Sequence, residues 1–105
     1  MKIVLLIESP VTDTSYEHGL ELALTMADMD IDVAVLFAGT AALDIMAFSD
    51  DRVKKVGQLN LFDIKTELYC VDADTRLHES LDFIQTVDKK QLIYILDNAQ
   101  KIVRF

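Results

Sequence analysis

Two uninterrupted apolar runs set the terms for this chain. Lys2 to Glu8 reads "KIVLLIE" and Asp32 to Ala38 reads "DVAVLFA". Neither alternates between apolar and polar residues, so each is expected to be a strand with both faces buried, the pattern of a parallel sheet covered by helices. Between them Ser9-Pro10 ends the first run, and Leu20, Ala23, Leu24 and Ala27 recur at helical spacing. Thr14 with Glu17 three residues on has the form of a capping box, which predicts a first helix from about Ser15 to Met29.

The same alternation continues downstream. Thr40 is placed to cap a short helix through "AALDIMAF", and Ser49, followed by Asp50 and Asp51, to cap another through Val53, Val56 and Leu59. A third strand is predicted over Lys65 to Val71, then a helical turn through Leu77 and Leu81 capped by Asp72 or Asp74. "FIQTV" reads as a short fourth strand, Asp88 as the cap of "KKQLIYILDNAQ", and "KIVRF" as a fifth strand. Strand–helix alternation of this kind predicts a flavodoxin-like, three-layer α/β/α fold with a mostly parallel five-stranded sheet. At 105 residues it predicts one domain over positions 1–105.

Charge and composition narrow the function. Ten basic residues against 18 acidic give a formal net charge of -8, a sign that repels phosphate backbones and anionic lipid surfaces, so neither nucleic acid nor membrane is an expected partner. The opening "MKIVLLIE" suits a first strand better than a signal peptide. One cysteine and no disulfide framework point to the cytoplasm. No GxGxxG or GxxxxGK[ST] phosphate loop is present, and His18 and His78 lack metal-ligand spacing to one another or to the cysteine. No cofactor and no metal are expected.

In such a fold, sites lie in the loops after the strands' carboxyl ends. Cys70 falls there, in "ELYCVDAD". A following helix N-terminus, with Arg76 and His78 downstream, favours a thiolate, whereas Glu67, Asp72 and Asp74 penalise one. A lone cysteine finishing a strand also packs well as a small hydrophobe. Cys70 is therefore a catalytic candidate only if the protein carries sulfur on it, and a structural residue otherwise. Glu8, Asp13, Asp72, Asp74 and Asp88 also stand near strand ends. They allow a Mg²⁺-dependent phosphoacceptor of the receiver type, but a receiver needs an acidic pair straight after the first strand, where this chain has "ESPV". Helix capping accounts more simply for Asp13, Asp72 and Asp88.

Two further features concern packing. Gly19 costs about 1 kcal/mol relative to alanine inside a helix, so it is expected to mark a close approach of that helix to a neighbour. "AALDIMAF" carries Leu43, Ile45, Met46 and Phe48 on more than one helical face. A deeply packed helix is one explanation; a subunit interface through these four residues is the favoured one.

The order of these pieces resembles the DsrE/DsrF-like family, and within it the DsrF/TusC subunits most closely. The resemblance spans nearly the whole chain and rests on "HGLELAL" after a polar turn, "VLFAGTAAL" at a strand-to-helix step, "LFDI" before the cysteine strand, and a closing "KIVRF". It implies a cytoplasmic sulfur relay in which small homologous subunits assemble and sulfur travels as a cysteine persulfide, towards tRNA 2-thiouridine or sulfur oxidation. The implied partners are DsrE/TusD-like and DsrH/TusB-like subunits, or further copies of the chain itself. In that family the carrier cysteine is assigned to the DsrE/TusD-like subunit, at the end of the third strand, the position of Cys70 here. DsrF/TusC-like chains retain a cysteine there without being the accepted carrier. The turn that follows is small and basic in relatives, close to "AxxLRxRG", and acidic in this chain, "VDADTRLHES". The expected role is a DsrF/TusC-like subunit that does not itself catalyse, with a DsrE-like carrier acting through Cys70 as the first alternative and a receiver-like regulatory domain as the second.

Overall fold

The computed structural model describes residues 2–47, 51–69 and 83–105, with side-chain surroundings described for all of these except 47 and 51–55. Five strands and four helices follow one another as β1 (Ile3–Ile7), α1 (Thr14–Asp28), β2 (Val33–Phe37), α2 (Gly39–Ala47), α3 (Asp51–Leu61), β3 (Lys65–Tyr69), β4 (Gln85–Val87), α4 (Lys89–Asn98) and β5 (Lys101–Arg104). The strands form one sheet in the order β4-β3-β2-β1-β5, and every pairing is parallel. This is the expected three-layer α/β/α architecture. Among the described residues no helix is long and apolar enough to cross a membrane.

The two apolar runs occupy interior positions of the sheet. All five residues of β2 are buried, as are four of the five in β1. Alternation along β1 sends Leu5 and Ile7 to one face and Val4 and Leu6 to the other. The first face carries the larger core, where Tyr16, Leu20 and Ala23 of α1, Ile45 of α2, and Val56 and Leu59 of α3 pack on Leu5, Val35, Phe37 and Leu68. The second is smaller: Leu92, Ile95 and Leu96 of α4 rest on Val4, Leu6 and Leu36. Right-handed crossovers explain the split. The steps from β1 to β2 and from β2 to β3 run towards one edge and put their helices on one face. The step from β4 back to β5 reverses direction and puts α4 on the other.

Local starts and stops differ from expectation in two places. Asp13, not Thr14, is the N-cap of α1, and its carboxylate accepts from the Ser15 amide at 2.9 Å. The Asp13 carboxylate reaches the second helical N–H, which leaves Thr14 as the first helical residue and Glu17 one position too far on for a capping box. Likewise α2 opens at Gly39 with φ +55, so Thr40 lies inside its first turn instead of capping it. Asp88 caps α4 as expected, in a reciprocal box with Gln91 at 2.8 and 2.9 Å. Ser49 and the Asp72 to Leu81 turn lie outside the described residues.

Gly19 has the packing role its position suggested. A Cβ built there would stand 2.8 Å from Ile7 Cδ1 and 3.2 Å from the Phe105 ring, so the missing side chain lets α1 lie close on β1 and the chain's final residue.

Candidate functional site

The carboxyl ends of β1 and β2 are joined by a small hydrogen-bond framework. The Ala38 amide donates to Ile7 O at 3.0 Å, Ala41 N–H to Glu8 O at 3.2 Å, and Glu8 N–H to Phe105 O at 2.9 Å. The Asp44 carboxylate of α2 reaches across to accept from the Val11 amide at 3.0 Å, fixing the turn after β1. Beneath it Tyr16 is buried, its ring stacked on Phe37 with centroids 6.1 Å apart. Among the described residues its hydroxyl has no hydrogen-bond partner. Burial pushes the phenol above its ordinary pKa, and the Asp44 carboxylate adds to the shift.

Asp13 and Asp88 hold helix N-termini, and Glu8 is exposed. Among the described residues no three metal-ligating side chains come together. His18 is solvent-exposed on α1, while His78, Asp72 and Asp74 lie outside the described residues. So does Cys70, which follows Tyr69, the last residue of β3.

The proposed interface helix divides its residues. Leu43 is exposed, Ile45 is fully buried in the main core, and Met46 is partly buried against that core. Phe48 lies outside the described residues. Among the described residues of this set, Leu43 is the large side chain turned to solvent, and Ile45 is committed to its own chain.

A different concavity holds more polar chemistry. Between α4 and the second face of β3 and β4 lies a cleft of about 680 Å³, with an adjoining hollow of about 220 Å³ towards Lys2 and Val4. Lys65, Glu67, Tyr94 and Ile95 line both. Glu67 pairs in register with Leu36 on one side and Gln85 on the other, so its side chain rises from the sheet itself. It is only 6% exposed. Sequence reasoning treated Glu67 only as a charge near Cys70. The signal that would have found it is a carboxylate in mid-strand, next to Leu68, whose own burial in the main core turns Glu67 to the opposite face.

No family model and no curated protein matches the chain. Solved structures do, among them the ychN protein from E. coli, which superposes over 99% of this chain and 97% of its own with a TM-score of 0.75 at 14% identity. The two share a fold across their whole lengths.

Proposed function

We propose that the protein is a DsrF/TusC-like subunit of a cytoplasmic sulfur-relay complex, assembling with DsrE/TusD-like and DsrH/TusB-like subunits and supporting persulfide transfer without carrying sulfur itself. One observation above the others supports this: the segments that carry the family resemblance occupy defined places in the fold, two of them at junctions between elements. "HGLELAL" is the middle of α1 and holds the close-packed Gly19; "VLFAGTAAL" runs from β2 into α2 through the left-handed Gly39; "LFDI" ends α3; "KIVRF" supplies β5.

Cys70 follows directly on the carboxyl end of β3, where α/β folds of this kind place their chemistry, and this keeps the carrier alternative specific. Acidic residues on both sides of it in sequence oppose the thiolate that sulfur capture requires. The test is to purify the chain with candidate homologous subunits, load the complex with labelled sulfane sulfur, and locate the label by non-reducing mass spectrometry. The expected result is a stable complex whose transfer survives Cys70→Ser, with label on a partner subunit. Label on Cys70, with transfer abolished by Cys70→Ser, would make the chain the carrier. A protein that ignores both homologues and stays monomeric in light scattering would remove the relay assignment.

A further inference from the structure

The amino end of the sheet carries an apolar surface that the sulfur-relay proposal does not use. Helices α1 and α3 lie side by side over the main core, and each leads within a few residues into one of two neighbouring parallel strands, β2 and β3. Their exit turns therefore stand next to each other. The turns share one hydrogen-bond pattern: Asp30 N–H to Ala27 O and Ile31 N–H to Met26 O in the first, Asp63 N–H to Asn60 O and Ile64 N–H to Leu59 O in the second. Met29 and Phe62 thus occupy equivalent positions, each one residue before a left-handed aspartate. Met29 is 66% exposed and Phe62 49%, and Leu61 beside it is 80% exposed. Large apolar side chains turned outward together, from two elements, mark a surface that another molecule covers.

Charge selects what that molecule is. Asp28, Asp30, Asp32 and Asp63 are exposed on these same two turns. The described lysines at this end of the sheet stand apart: Lys2 and Lys65 belong to the opposite face, lining the cleft and hollow beneath α4, and Lys101 lies on β5, two strands from β2. An aspartate in left-handed backbone at the negative end of a helix is disfavoured by strain and by the dipole, yet both turns carry one where glycine would fit. A second copy docked through the same face would set these carboxylates against their own counterparts. We propose that this face docks a basic amphipathic helix of a partner protein, its apolar stripe on Met29, Leu61 and Phe62 and its flanking lysines or arginines against the aspartates. Packed helices stand about 8–10 Å apart, so Met29 and Phe62 suit apolar anchors seven residues apart on such a helix, which a rise of about 1.5 Å per residue spaces by about 10 Å. The surface is independent of the relay assignment and lies at the opposite end of β3 from Cys70, so a docked partner leaves the carboxyl ends of the strands open.

The test is a titration of the full chain, followed by backbone-amide NMR, with a synthetic helical peptide that has leucine at i, i+4 and i+7 and lysine on both flanks. Two control peptides run in parallel: one with the same composition in scrambled order, and one with the leucine stripe kept and glutamate in place of lysine. The patterned basic peptide should shift the amides of Met29, Asp30, Phe62 and Asp63 saturably and bind at least about tenfold more tightly than either control. Leu61→Ser and Phe62→Ser should weaken it at every salt concentration. Asp30→Asn and Asp63→Asn, which keep a residue tolerant of left-handed backbone, should weaken it mainly at low salt and flatten the salt dependence. The peptide comparison on the unaltered chain stands whatever a variant does to the fold. Equal binding of the scrambled peptide would reduce the attraction to net charge and overturn the proposal. So would tight binding of the glutamate peptide, shifts that map elsewhere, self-association in light scattering that Phe62→Ser abolishes, or no saturable shift at millimolar peptide.

Discussion

Tyr16 brings a hydroxyl into the main core and finds no hydrogen-bond partner among the described residues, beside the Asp44 carboxylate that raises its pKa further. An unsatisfied buried polar group costs about 1–3 kcal/mol, so Tyr16→Phe, which keeps the ring on Phe37, is expected to raise stability by about 1 kcal/mol in urea unfolding. The pH dependence follows in sign. The folded-state pKa is raised above the unfolded value, so the contribution to stability is intact below the ordinary tyrosine value of about 10 and is lost as pH rises above it, where the unfolded chain ionises first. Wild type should therefore lose stability in alkali more steeply than Tyr16→Phe; parallel pH profiles would show that the phenol is solvated. The glycines offer a second contrast. Gly57 has nothing among the described residues within 4 Å of an added Cβ, so Gly57→Ala should gain about 1 kcal/mol from helix propensity alone. Gly19→Ala gains the same propensity but drives a methyl into Ile7, where overpacking costs about 1–3 kcal/mol, and a net loss in melting temperature is expected. Gly19 was legible in the sequence because a helix interior tolerates glycine only for a reason. Tyr16 was not, because a tyrosine on an apolar helix stripe does not reveal where its hydroxyl ends.

Both of the long helices on the main-core face stop in the same way. After α1, Asp30 has φ 59, its amide donates to Ala27 O at 3.0 Å, and Ile31 N–H returns to Met26 O at 2.9 Å. After α3, Asp63 has φ 55, with Asp63 N–H to Asn60 O at 3.1 Å and Ile64 N–H to Leu59 O at 2.9 Å. This is the left-handed helix ending usually made with glycine, followed by an apolar residue that folds back on the last turn; Ile64 and Leu59 share the main core. The repeated "MDI" and "FDI" are its sequence trace. Aspartate at that site meets both the left-handed strain and the negative end of the helix dipole. Asp63→Gly should therefore stabilise the chain by about 1 kcal/mol, read as a shift in the denaturant midpoint with unchanged slope; a loss would mean that the carboxylate has a contact that offsets the strain. At this scale most element types could be read from periodicity and caps, while boundaries moved by a residue or two. Thr14 and Thr40 were misplaced as caps because a threonine beside an aspartate or a glycine loses the position to the neighbour with the stronger capping acceptor or the freer backbone.

Across the whole molecule the two faces of the sheet are unequally covered. Three helices close the main-core face and contribute buried side chains to it, whereas α4 alone covers the described part of the other and buries none of its residues fully. Its neighbour β5 is an edge strand, exposed at three of its four residues. The sequence foretold the α/β/α layers from the strand–helix alternation. It held no sign that the final crossover would reverse direction and set one ten-residue helix over the second face, because strand order depends on contacts between distant segments. That asymmetry predicts a division of stability. Amides of β1 and β2, interior in the sheet and almost wholly buried, should exchange with deuterium only through global unfolding, with protection that follows urea in step with the unfolding free energy. Amides of α4 should exchange through a smaller opening that leaves the main core intact, at a free energy clearly below the global value and with weak urea dependence. Protection in α4 equal to that of β1 in the free chain would show that the second face folds as one unit with the first, and that the thin cover over Val4, Leu6 and Leu36 is as secure as the three-helix layer opposite.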